Sequence, residues 1–549
     1  MNNERGCNHR VFNQPKTSEP TNIFATDPLL SHYLQRFGED IADSDTIAAL
    51  NEYGELAGGY LTDLGDSANR HKPEIRIYDR YGHRIDQVDF HPAYHELLTK
   101  ACQYGIHNLP WANPGPGAHL LRAMLFYLHN QADAGTACPI TMTFAGYSVI
   151  DREDHLDAFW RDGSLSTDYD PTARHASEKT GLMFGMAMTE KQGGTDIRAN
   201  TTEATLLDNG ASTWRLNGHK WFCSAPMSDG FLTLAQTDAG LSCFLAPKWL
   251  PDHTPNGILI QRLKDKLGNH SNASSEIEYH DCLAYLLGEP GKGIRTIMQM
   301  VGLTRYDCAL GSAALMRQAM VQAWRHCTQR SVMGKLLINQ PLMQNVLADL
   351  ALESDAATLL AFRLSRCLDS GTAEEMALFR IGTAVAKYWI CKQAPAFINE
   401  AAECMGGAGY VEEFILPRLY REAPVNSLWE GSGNVQCLDV LRAMNKEPEC
   451  VDALMNELKS VQGSNTNYDQ HLAKIPIMLK GDPGELEFSA RTLTAAIAQC
   501  WQAKLMMEFY NDDIFADFCR SRLSDHHARN YGQLDAKTHI DAILNAVVV

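Results

Sequence analysis

Apolar and polar positions change rhythm along the chain, and the changes divide it into four parts. From about residue 27 to 180, apolar residues recur at helical spacing between polar breaks. Residues 119–128 are apolar almost throughout and rich in strong helix formers, which predicts a buried helix. Residues 151–179 are charged and read as a short helix plus an exposed loop. From about 181 to 288 the signal turns to strands. Residues 213–216 and 219–222 flank Asn217-Gly218, a predicted two-residue hairpin turn. Residues 231–235 and 241–245 flank a second short turn, and 258–260 with 275–279 complete an antiparallel barrel or sandwich. No helix-length apolar pattern interrupts these strands, which disfavours a parallel Rossmann sheet.

From about 293 to 444 long helices return. Residues 309–324 and 343–368 are each long enough to cross a four-helix bundle. Pro448 and the polar run 463–467 mark a boundary, after which the chain again reads as helical. The expected class is therefore α+β: an N-terminal helical domain (1–180), a central antiparallel β domain (181–290), a C-terminal helical bundle (291–445) and a helical extension (446–549).

Composition narrows the function. Apolar content of 45% and charged content of 21% fit a soluble globular protein, and 549 residues exceed one ordinary core. The net charge of −18 repels nucleic acid and anionic membranes unless basic groups cluster locally. The first residues show no signal peptide, and no apolar run is long enough to span a bilayer. The 15 cysteines include no Cys-x-x-Cys pair, so buried thiols rather than a zinc site are expected, in a reducing cytoplasm.

The chemistry concentrates in residues 426–434, Asn-Ser-Leu-Trp-Glu-Gly-Ser-Gly-Asn. A carboxylate between an indole and a glycine-rich turn gains proton affinity when water is excluded, so Glu430 is a candidate general base. On this segment alone, a turn carboxylate capping the next helix competes with that reading. Two other glycine-rich stretches, 288–293 and 406–410, lack the spacing of a nucleotide motif. The first reads as a turn after the last strand, the second as close packing at a helix terminus.

Taken in order, five motifs resemble the acyl-CoA dehydrogenase superfamily of FAD enzymes. Residues 188–196, Met-Thr-Glu-Lys-Gln-Gly-Gly-Thr-Asp, are similar to its flavin loop, which implies cofactor contacts from Met188, Thr189, Gly194, Thr195 and Asp196. Residues 217–224 are similar to its flavin strand, with Phe222 in the aromatic place and Ser224 in the hydroxyl place. Arg330, with Met333, resembles the motif that binds the FAD of a neighbouring subunit, and Gly406-Gly407 resembles a second segment serving that neighbour. Residues 428–434 fall where the superfamily keeps its base. The resemblance implies Glu430 as the base and cofactor contacts from Leu428, Trp429, Gly431, Ser432 and Asn434. One branch takes its base from the position before an arginine. Here that position is Thr304, before Arg305, and a threonine cannot serve as that base. Arg305 is then a neighbouring charge that tunes or orients Glu430, or else an ordinary interhelical ion pair.

Departures from the pattern include Trp429 for the common Tyr, Lys191 for Pro, and Glu403 for Gln. The bulkier indole implies short or branched acyl groups. Closer likeness, through 11–15, 138–144, 263–269, 418–422 and 438–442, is to the adaptive-response branch linked to DNA alkylation damage. That branch implies a cytoplasmic homotetramer and duplex-DNA binding by the C-terminal part. Arg418, Arg421, Arg442 and Lys446 could form a phosphate-binding patch, with Arg442 and Lys446 the candidate DNA contacts.

Overall fold

The computed structural model describes residues 9, 11–16, 21–207, 213–524 and 530–547. The predicted buried helix is Ala118–Ala132, and nearly every side chain on it is buried, Arg122 and His129 included. The helix can bury Arg122 because Asp307 pairs with it and Phe144 lies under its guanidinium at 3.8 Å. The charged segment beyond holds a short α-helix, Phe159–Leu165, and a 3-10 turn, Ala176–Glu178, within loop.

One N-terminal element departs from the helical expectation. Strands Glu74–Tyr78 and Arg84–Asp89 form an antiparallel hairpin, and their apolar Ile75 and Val88 join the core of the β domain. Their alternation is too short to stand out from the flanking helical pattern.

The β domain closes on itself. Strand Gly230–Thr237 pairs with Gly240–Pro247, which pairs with Ser274–Leu287, which pairs with Thr213–Ser224. Glu203–Leu206 completes the ring by meeting Thr213–Ser224 on one side and Gly230–Thr237 on the other. The pairs are antiparallel except those that Gly230–Thr237 makes with Glu203–Leu206 and with Phe184–Ala187.

Asn217-Gly218 is not a hairpin turn. Thr213–Ser224 is one continuous strand, and the dipeptide sits where its register shifts against Ser274–Leu287. Asn217 spends its amide on Asp281, donating to Oδ1 at 3.1 Å and accepting from its N–H at 2.9 Å. Gly218 lies so close to Thr202 that a Cβ would come within 2.6 Å of Cα. The glycine serves a close backbone approach rather than a chain reversal.

Three long helices, Gly293–Cys327, Pro341–Ser370 and Ala373–Met405, form the bundle, with Leu416–Leu428 and Gly433–Lys446 packed against the third. The stretch 288–293 is the turn into the first of them. The extension is part of this body. Trp501, on helix Pro483–Phe509, is fully buried, and Gly382 leaves room for its ring, to which a Cβ would approach within 2.7 Å. Glu457, on helix Pro448–Lys459, accepts from Arg363 at 2.9 Å and from Lys504 at 3.0 Å. Tyr510 donates to Asp355, which also holds Arg317. The described cysteines are buried free thiols, and among the described residues no helix is long and apolar enough to cross a membrane.

Candidate functional site

Helix Leu416–Leu428 stops at Trp429, and helix Gly433–Lys446 starts from Ser432. Glu430 and Gly431 bridge them with φ of +57° and +98°. Glycine accepts that conformation readily, whereas a glutamate there is strained and must be held. Buried side chains hold it. Arg305 Nε donates to the Glu430 carbonyl at 2.8 Å, and Gln436 Nε2 donates to the carbonyls of Glu430 and Gly431 at 3.1 and 2.9 Å. Lys387 Nζ donates to the carbonyls of Gly431 and Asn426 at 2.9 and 3.0 Å. Arg305, Gln436 and Lys387 are all buried, so each donor is committed to this clamp.

The Glu430 carboxylate is treated differently from its carbonyl. Thr304 Oγ1 donates to Oε2 at 2.8 Å, and among the described residues no cation bonds to the carboxylate. Burial pushes its proton affinity above the ordinary glutamate range; the Thr304 bond and the charges of Lys387 and Arg305 pull back less strongly. Trp429 Nε1 donates to Asn426 Oδ1 at 3.0 Å, which fixes the indole beside the acid.

Arg305 is therefore not a partner of the Glu430 carboxylate. Its Nη1 is paired with buried Asp439 at 2.9 Å, and Asp439 also holds Arg380. Arg305 thus makes an interhelical ion pair and also bonds a backbone oxygen of the turn. Thr304, excluded as a base, is the residue that touches the carboxylate.

In the 188–196 loop, Met188 and Thr189 are half-buried, while Gly194, Thr195 and Asp196 are exposed. The loop is anchored by Glu190, which is fully buried and meets Lys220 at 2.8 Å and the N–H groups of Thr201 and Thr202 at 2.7 and 3.1 Å. Burial opposes its charge, but Lys220 and these donors hold its carboxyl far below the usual range. The Trp221 N–H donates to the Thr189 carbonyl at 2.7 Å, tying loop to strand. A register shift between Lys220 and Cys223 leaves Trp221 and Phe222 both off the barrel core. Trp221 lies under Lys264 Nζ at 3.4 Å, and Phe222 is 49% exposed. Ser224 meets Ser274 at 3.0 Å. Buried Cys138 lies within electrostatic reach of both Ser224 and Glu430, which places strand end and acid turn near one another.

Four of the remaining predicted residues, Arg330, Met333, Gly406 and Gly407, lie on other segments. Arg330 Nη1 donates to the Asn13 carbonyl at 2.9 Å, and Met333, at φ +51°, is 97% exposed. Gly406 ends helix Ala373–Met405 at φ +62°, and space is open around Gly406 and Gly407. Close packing falls instead on Gly409, where a Cβ would come within 2.2 Å of the Ala402 carbonyl oxygen. Leu428 is exposed, Ser432 is the N-cap residue, and Asn434 Oδ1 accepts from Arg491 at 2.8 Å.

The basic patch does not form as drawn. Arg418 is buried among Asp133 and Glu422, and Arg421 is paired with Glu412. Arg442 and Lys446 are exposed one helical turn apart, Arg442 leaning 3.7 Å from Asp439. Lys387, Gln436, Glu190 and Arg491 escaped the sequence reading. Lys387 left one signal, a lone cation inside the apolar run 384–391.

Residues 13–171 match the adaptive response protein AidB N-terminal domain. Residues 185–282 and 291–445 match the middle and C-terminal domains of acyl-CoA dehydrogenase. AidB of Escherichia coli (strain K12) is 46% identical over 483 residues, 87% of this chain and 88% of its own length. The short-chain specific acyl-CoA dehydrogenase of Mus musculus mitochondria is 30% identical over 46% of this chain and 60% of its own. Among solved structures, Caenorhabditis elegans ACDH-11 in complex with C11-CoA superposes with a TM-score of 0.85 at 25% identity, covering 95% of each chain.

Proposed function

Because the chain belongs to the acyl-CoA dehydrogenase family, in its AidB branch, we propose that it is an FAD-dependent dehydrogenase of a short or branched acyl-CoA, with Glu430 removing the α proton. The observation that carries this is the isolation of one carboxylate: its backbone is clamped while, among the described residues, its acid group hydrogen-bonds only to a hydroxyl. Proton removal beside a thioester needs a base kept from water and from neutralising partners. The Glu430 N–H would donate to the thioester oxygen as enolate charge develops. Arg305 acts as a positioning residue through the backbone.

The residues present fit FAD. Half-exposed Phe222, Ser224, the open 188–196 backbone and the 428–434 turn offer a face for a ring and donors for its polar edge. Bound FAD supplies the two-electron acceptor for the β hydrogen. Trp429, fixed by Asn426, adds bulk beside the base and supports a narrow acyl end. The test is anaerobic titration of the yellow protein with a panel from isovaleryl-CoA to C11-CoA. Glu430→Gln should keep FAD and lose bleaching by any member. If it bleaches as fast as the parent, Glu430 is not the base, and a preference for C11-CoA would remove the short-chain part alone.

Met333, Gly406 and Gly407 are exposed and Arg330 is half-buried, on segments outside the 428–434 turn, which supports their serving the cofactor of a second copy in a homotetramer. FAD loading should then require the oligomer; sedimentation of a flavin-loaded monomer would contradict it.

A second reading, duplex-DNA binding in the alkylation response, is favoured by exposed Arg442 and Lys446 on one helix face. The net charge of −18 opposes it. Salt-dependent binding of plain duplex that weakens in Arg442→Ala is the expected result, and no binding at low salt would remove the reading.

A further inference from the structure

We propose that the extension contributes a cation to the cofactor site: Arg491, on helix Pro483–Phe509, faces the diphosphate of FAD. This rests on the FAD reading above. Arg491 Nε donates to Asn434 Oδ1 at 2.8 Å, and a Cβ on Gly433 would lie 3.7 Å from its Nη2. The guanidinium therefore sits at Gly433 and Asn434, immediately after Ser432, in the segment that follows the base. No residue of the matched C-terminal domain, which ends at 445, supplies it.

Its pairing sets Arg491 apart. Arg305, Arg317, Arg363 and Arg522 each meet a carboxylate. Arg491 is exposed, its hydrogen-bond partner is a neutral amide, and among the described residues no carboxylate pairs with it. In a chain of net charge −18, such a guanidinium keeps both Nη groups available for an external anion. The diphosphate is the only anionic part of FAD. Arg491 also occupies the oxygen of the Asn434 amide, leaving Nδ2 as a second donor toward the same phosphate. The helix carrying it is not free to drift: Trp501 is seated over Gly382 and Lys504 is bonded to Glu457.

The experiment titrates full-length, deflavinated protein with FAD and with riboflavin, which lacks phosphate, and follows flavin fluorescence. Arg491→Met should raise the Kd for FAD about tenfold, a loss of about 1.4 kcal/mol, and leave riboflavin affinity within twofold. Arg491→Lys should recover most of the loss, and the salt dependence of FAD binding should become shallower in the Met variant. Unchanged FAD affinity, or equal losses for FAD and riboflavin, would overturn the proposal. A parent protein that binds neither flavin would instead overturn the FAD reading. If circular dichroism shows the Met variant unfolded, Arg491→Gln retains a donor for Asn434, removes the charge, and decides by the same two affinities.

Discussion

Glu430 and Glu457 are both half-buried, and the structure treats them in opposite ways. Glu457, where the extension meets the bundle, has Arg363 and Lys504 within 3.0 Å and the Trp501 indole N–H at 3.0 Å. Burial works against its charge, yet Arg363 and Lys504 hold its carboxyl down at about 2. Glu430 receives one hydroxyl, and burial wins, pushing its proton affinity up. The cations near Glu430 are spent elsewhere, Lys387 on carbonyl oxygens and Arg305 on a carbonyl and Asp439. Burial alone does not decide a glutamate's role. Where cations bond the carboxylate it is a rivet; where they bond the neighbouring backbone it stays free for proton transfer.

The largest effect should come from removing the free acid. Glu430→Gln preserves shape and hydrogen bonding but abolishes the base, and should slow substrate-driven flavin reduction by roughly 10³-fold. Stopped-flow absorbance checks this, with the flavin spectrum and melting midpoint expected near those of the parent. A reduction rate within tenfold would mean that the comparison names the wrong acid.

Removing the rivet should reverse the pattern. Glu457→Gln leaves Arg363 and Lys504 short of a charge partner and should destabilise the protein by roughly 2 kcal/mol, with FAD affinity and reduction rate unchanged. Glu375 and Glu508, which also pair with these cations, limit the loss. The pH dependence has a definite sign. The Glu457 carboxyl is lower in the folded protein than in the unfolded chain. Its stabilisation is thus complete above the ordinary glutamate value and is lost as pH falls from about 4.5 toward about 2. Acid unfolding of Glu457→Gln should accordingly show a shallower dependence across that window, and an unchanged profile would remove Glu457 from the account.

The same contrast explains what could be read without coordinates. Helix and strand regions could be read where an apolar run has the length of one element, as in Ala118–Ala132 and Gly240–Pro247, which are buried on nearly every side. The Asn217-Gly218 turn failed because a glycine forced by the approach of Thr202 looks in sequence like one forced by a reversal. At the site, Glu430 was legible through its tryptophan and glycine neighbours. Its clamp was not, because Lys387 and Gln436 act on backbone oxygens, and no side-chain pattern announces a backbone acceptor. The Glu190–Lys220 pair was hidden for another reason: a loop and a strand 30 residues apart meet only in the fold.

The smallest effect is also the most specific. Thr304 Oγ1 is the only group hydrogen-bonded to the Glu430 carboxylate among the described residues, and its bond favours the ionised form. Thr304→Val keeps the side-chain volume and removes that bond, so the proton affinity of Glu430 should rise further. A base that holds its proton more tightly is ionised in a smaller fraction at mildly acidic pH. The acid limb of the pH–rate profile should therefore move to higher pH, while the plateau rate changes by only a few-fold. Glu457 has no such single-hydroxyl control, since its charge survives the loss of any one donor. A limb that stays in place, or moves to lower pH, would show that Thr304 packs beside Glu430 without tuning it.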